Sequence, residues 1–177
     1  MCSSDLFIQS VRLYREQIQQ PELQQRVADF IRQEAQHGIA HDKMNQLMKN
    51  QGMPVDQFIR QLNRIFKFEL EKRSPEYNIA TTAAAEHLTA LMAETFYAHR
   101  STLAEAHPYV RALFAWHAIE EIEHRAVAFE VYQHVYADHR LRRMIMRSVT
   151  AGFASLTFYS ASQLFLQDKK NSIPKIG

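Results

Sequence analysis

"WHAIEEIEH", Trp116 to His124, decides how the whole chain is read. On a helix of 3.6 residues per turn, His117, Glu121 and His124 fall on one side, spaced four and then three residues apart. The same side carries Val110 and Phe114 before them and Ala128, Val131 and Val135 after them. Its outer positions are apolar and its middle ones ionisable. A core-facing helix places such groups inside only when something in the core needs them.

Working outward, Pro, Gly and capping residues divide the chain into helices. The pattern predicts a first helix over Phe7–Gln19 and a second opening at Pro21, a favoured first helical position, and closing near Asn50 before Gly52 and Pro54. A third covers Val55–Lys72, amphipathic through Phe58, Leu62, Ile65 and Phe66. Ser74 caps a fourth that starts at Pro75 and runs to about Leu103, and His107-Pro108 opens a fifth ending near Ala137. A sixth extends from Leu141 to Gln167. Long helices with short connections make a bundle, so the expected fold class is all-α, in one domain over 7–177.

The composition agrees. The chain has 177 residues, 46% hydrophobic and 23% charged, with only 4 Gly and 5 Pro and no strand-like alternation. A net charge of +2, with no basic stripe interleaved by aromatics, excludes nucleic acid as the expected partner. A single Cys fits a reducing, cytoplasmic setting, and no secretory signal opens the chain. Ser148–Gln167 lacks charges and is long enough to span a membrane, yet its Ser, Thr, Gln and Gly content favours a bundle helix or one lying against a membrane surface. "MCSSDL" opens the chain abruptly and reads as a non-native leader, residues 1–6, in front of a gene truncated at its 5′ end.

The polar anomaly of the opening stretch recurs. The second helix carries an apolar stripe through Val27, Phe30, Ile31, Leu47 and Met48, interrupted by Glu34, His37 and His41. Glu34–His37 and Glu121–His124 are both Glu-x-x-His pairs on one helical face. In the fourth helix Glu86 lies in line with Ile79, Ala83, Ala90 and Ala93, small neighbours that leave room beside its carboxylate. One such pair is usually a solvated surface feature; two, with a third Glu, on three core-facing stripes are not. Burying carboxylates uncompensated costs several kcal/mol per charge, and no Lys or Arg occupies these stripes near the cluster. Divalent cations can compensate, with neutral imidazoles completing the coordination. The expected ligands are Glu34, His37, Glu86, Glu121 and His124.

This set resembles the ferritin-like carboxylate bundles, which take one Glu from each of two helices and Glu-x-x-His from each of two others. One single-Glu helix is missing: Glu16 lies off the Ile8-Val11-Ile18 stripe, so the fourth carboxylate is expected in the lost upstream sequence. "FIRQEAQHGIAH", "AAAEHLTALMAE" and "WHAIEEIEHRAVAFEVY" together resemble a bacterial family labelled predicted metal-dependent hydrolase, from about Phe7 to Gln167. Members of that family are longer at both ends. The pattern His-x-x-x-Glu-x-x-His at His117, Glu121 and His124 is also similar to that of the di-iron p-aminobenzoate N-oxygenases. That resemblance implies Glu34, His37, Glu86, His117, Glu121 and His124 as ligands, with His117 the extra one. Mixed donors suit iron or manganese and do not exclude zinc. The expectation is two such metals activating O₂ on a small organic substrate, with metal-assisted hydrolysis by a bridging water, or a non-catalytic metal-binding bundle, as alternatives. His41, His87 and Glu120 are expected to orient ligands from outside the first set. Glu130 and His134 read as a solvated i,i+4 pair, and Trp116, Tyr132 and Tyr136 as packing residues. Met44, Met48, Met92, Met144 and Met146 read as core filler. A homodimer and peripheral membrane contact through Ser148–Gln167 complete the expectations.

Overall fold

The computed structural model describes residues 3–171, and Met1, Cys2 and residues 172–177 lie outside them. The described chain is an all-α bundle: α1 Ser3–Arg12, α2 Pro21–Asn50, α3 Val55–Lys72, α4 Pro75–Ala98, α5 Pro108–Val135 and α6 His139–Asn171. Two 3₁₀ turns, Arg15–Gln17 and Arg100–Leu103, follow α1 and α4. α4 is central, packed against α5, α6 and α1.

Local chemistry explains most boundaries. Pro21, Pro75 and Pro108 each open a helix where the missing N–H costs nothing. Ser74 Oγ accepts from Tyr77 N–H, and His107 Nδ1 from Tyr109 N–H. Gly52, at φ 80°, ends α2 in the left-handed region that suits glycine. α1 stops at Arg12 rather than Gln19. Leu13 points to solvent and Tyr14 turns inward to meet Tyr136 (hydroxyls 3.0 Å apart), so the chain tightens into a 3₁₀ turn. α4 likewise closes in a 3₁₀ turn instead of running to Leu103. α6 starts at His139, before the expected Leu141, because Asp138 Oδ1 accepts from both Arg140 and Leu141 N–H.

Small residues on α4 let its neighbours approach. Ala80, Ala83 and Ala84 pack with Val127, Ala128, Val131 and Tyr132 of α5, and with Val27 and Phe30 of α2, in one apolar core. Leu6, Val11, Ile18 and Ile145 are buried too. α2 and α5 run antiparallel, tied by an ion pair between Arg26 and Glu130. That pair replaces the expected Glu130–His134 partnership, since Glu130 reaches across to another helix.

Several residues expected in the core are not there. Leu47, Ile65, Phe114, Met92 and Met144 are more than a third exposed, because these faces of α2, α3, α5, α4 and α6 are only partly covered among the described residues. Glu16 is exposed. The second half of α6 is open as well, with Phe158 77% and Phe165 78% exposed. No helix among the described residues is long and apolar enough to cross a membrane.

Candidate metal centre

The apolar core gives way, along the same three helix faces, to a buried polar cluster. Glu34 and His37 come from α2, Glu86 from α4, and Glu121 and His124 from α5; all five are buried. Burial follows from register. Phe30 sits one turn before Glu34 and contacts the His124 ring edge-on at 4.8 Å, so the apolar packing that seats Phe30 seats the next turn too.

The geometry converges on Glu34. Its Oε1 lies 3.2 Å from His37 Nδ1 and 3.2 Å from His124 Nδ1. His124 Nδ1 is 3.6 Å from Glu86 Oε2, and His37 Nδ1 is 3.7 Å from Glu121 Oε1. His117 Nε2 stands 3.4 Å from Glu121 Oε1 on the other side. One ligand atom from each of Glu34, His37, Glu121 and His124 falls within 4.8 Å of the others. Two donors each about 2.1 Å from one cation sit about 3 Å apart, so these spacings suit shared coordination. Glu34 Oε1 divides the donors into two overlapping groups, one with His37, Glu121 and His117 and one with His124 and Glu86.

The protein alone does not satisfy this cluster. Both Glu86 oxygens and His124 Nδ1 are buried without a hydrogen-bond partner. No Lys or Arg among the described residues pairs with Glu34, Glu86, Glu120 or Glu121. Burial and the nearby Glu34 and Glu121 charges push the Glu86 carboxyl well above its usual range. Burial raises Glu121 as well, with Thr89 and the imidazoles opposing. Burial acts against Glu34 too, but the His124 and His37 rings, each 3.2 Å away, outweigh it and hold the carboxyl at about 2. Burial and the adjacent His37 and His41 rings lower His117 to about 4, so at neutral pH its imidazole is uncharged and free to donate a lone pair. Cations would relieve every one of these conflicts, and the donor set fits them.

Outer partners aim the imidazoles. His37 Nε2 lies 2.8 Å from Glu120 Oε2, which puts Glu120 at the outer nitrogen of a cluster histidine. His124 Nε2 lies 3.2 Å from Gln33 Oε1, while Gln33 Nε2 donates to Glu123 Oε2 at 3.0 Å. Sequence reasoning missed Gln33 and Glu123. They lie beside the stripes, and only the antiparallel pairing of α2 with α5 brings them together. His41 is exposed, its ring 5.1 Å from His117 and 6.0 Å from His37. Trp116 packs edge-on against His37. His87 is not brought to the cluster; it lines a separate cavity between α4, α5 and α6.

A cleft of about 260 Å³ adjoins His117 and His41 between α2 and α5. Met44, Met48, Leu113, Phe114 and Trp116 line it, with Asn45 and no charged side chain.

Fold and cluster together define a helical bundle with a buried Glu/His group able to hold metal. The chain belongs to the predicted metal-dependent hydrolase family, whose model matches residues 4–175. That match begins before Phe7 and ends beyond Gln167. No curated protein and no solved structure matches the chain.

Proposed function

We propose that Glu34, His37, Glu86, Glu121 and His124 hold two divalent transition metals, with His117 as an additional ligand, in a ferritin-like carboxylate arrangement that acts on a small organic molecule. The observation behind this reading is the convergence of three buried carboxylates and two buried imidazoles with no cationic side chain among them. Mixed carboxylate and imidazole donors suit iron, with manganese and zinc compatible. Bound there, the ions would supply O₂ reduction if iron, or a water of lowered pKa and a Lewis acid whatever the metal.

The chain's own residues do the rest. Gln33 holds the outer nitrogen of His124, and Glu120 stands 2.8 Å from that of His37, with the inner nitrogens of both rings toward Glu34. The cleft beside His117 admits an uncharged, largely apolar substrate, because an ionic one would be desolvated there without a counter-charge. O₂ chemistry on such a substrate is the reading favoured by the extra histidine, a feature similar to the p-aminobenzoate N-oxygenases. Metal-assisted hydrolysis is the second reading, supported by the description of the family to which the chain belongs.

Elemental analysis of protein purified without chelator should find about two transition metals per chain. Less than half an equivalent after reconstitution would sink the two-metal reading. Stopped-flow mixing of reduced, iron-loaded protein with O₂ then separates the reactions. An O₂-dependent absorbance change that is altered in His117→Ala supports oxygenation; indifference to O₂, with zinc supporting turnover as well as iron, supports hydrolysis.

A further inference from the structure

A second cavity is lined by none of the buried Glu/His cluster residues. It encloses about 600 Å³ between α4, α5 and α6. Its inner wall is apolar: Ala83 and Ala84 of α4, Ala126 and Phe129 of α5, and Met146 of α6. Its rim is cationic, formed by Arg125, Arg142, Arg143 and Arg147, with His87 beside them.

Only part of this charge is balanced by the protein. Arg125 Nη1 reaches Glu94 Oε1 at 2.6 Å. Arg142 stacks over the Phe129 ring with its guanidinium 5.0 Å from the centroid. No carboxylate among the described residues pairs with Arg142, Arg143 or Arg147. Arg143 and Arg147 stand four residues apart on α6, a like-charge spacing that destabilises a helix unless an anion lies between the two. The whole chain carries only +2, so the concentration is local. Guanidiniums recognise carboxylate and phosphate through paired hydrogen bonds, and the volume is in the range of small-molecule sites.

We propose that this cavity binds an amphiphilic anion, one molecule per chain, with its apolar body against Ala84, Phe129 and Met146 and its carboxylate or phosphate head between Arg142, Arg143 and Arg147. Binding here involves none of the cluster residues, so it stands or falls apart from the metal reading.

Calorimetric titration of the full chain with decanoate, decyl phosphate, decanol and decyltrimethylammonium tests it. At least one of the two anions should bind one to one and about tenfold or more tightly than decanol, with no binding of the cation. The anion preferred names the head group. The double variant Arg143→Ala/Arg147→Ala, at two exposed positions, should keep its helicity and lose about tenfold in anion affinity while binding decanol as before. Equal affinity for decanol and both anions would overturn the proposal, as would an unaffected double variant or several molecules bound per chain. Binding to phosphatidylglycerol vesicles without binding of either monomeric anion would assign the rim to a membrane surface instead.

Discussion

At the scale of single residues, Gln33 settles which nitrogen of His124 faces the cluster. The Glu123 carboxylate can only accept, so it takes the Gln33 amide N–H and turns the Gln33 oxygen toward His124 Nε2. That oxygen also only accepts, so Nε2 donates to it, and Nδ1, which faces Glu34 and Glu86, is left to offer its lone pair to a cation bound between them. Gln33→Leu should therefore lower metal affinity about 10- to 100-fold. Nitrogen chemical shifts of the metal-free protein should show the His124 tautomers mixed in the variant and a single tautomer in the parent. Glu86 gives the second prediction. Its folded pKa lies above the ordinary 4.5, so its contribution to stability is complete below that value and is lost as pH rises through the raised one. Glu86→Gln should thus stabilise the metal-free protein at pH 8 by about 1–3 kcal/mol while lowering its metal content. Denaturant melts across pH should show the gain disappear in acid; a variant less stable at pH 8 would mean that Glu86 is already satisfied. Both Glu-x-x-His pairs were legible in the sequence because the spacing of one helix fixes which residues share its face. Gln33 and Glu123 were not, because their pairing depends on the register between two helices.

At the scale of elements, the boundaries written in Pro and Gly were legible. Pro21, Gly52 and Pro75 act through backbone sterics that no tertiary contact overrides, and α2 and α3 match their expected ranges. The end of α1 was not legible, because Tyr14 leaves the helix for a tertiary partner, Tyr136, far along the chain. The start of α6 was available in Asp138, a cap residue passed over in favour of the first apolar position. Between α5 and α6, Ala137 sits at φ 50°, where a Cβ is crowded by the following carbonyl. Its N–H reaches back to Tyr132 O at 3.3 Å, closing α5 in the way glycine usually does. Ala137→Gly should raise stability by about 0.5–1 kcal/mol. Thermal melting would register this as a rise of about 1–4 °C, and a fall would mean that unfolded-state entropy outweighs the relief.

At the scale of the molecule, three helices meet at one set of charges, so a metal bound there would be coupled to the fold. Ligands bound at 100 times their dissociation constant add about 2.7 kcal/mol to stability. For a chain of 177 residues, metal loading should then raise the melting temperature by about 5–10 °C over chelator-stripped protein. An unchanged midpoint on loading would show that the cluster does not bind metal. The sequence indicated the bundle because its helices are long and well punctuated. It overstated the core at Leu47 and Phe114, since a periodic stripe marks a face able to be buried and says nothing of whether another helix arrives to cover it.

α2 is continuous over thirty residues, yet its buried residues stop at Gly38. Ile39 and Leu47 beyond that point are about half exposed. One hydrogen-bonded rod therefore contains two regimes of amide exchange. Deuterium should enter the Leu23–Gly38 segment only when the whole bundle opens, and should enter the segment from Ile39 onward through local fraying. Metal loading should slow the first segment and leave the second unchanged, so that a helix uniform to the eye keeps time on two clocks.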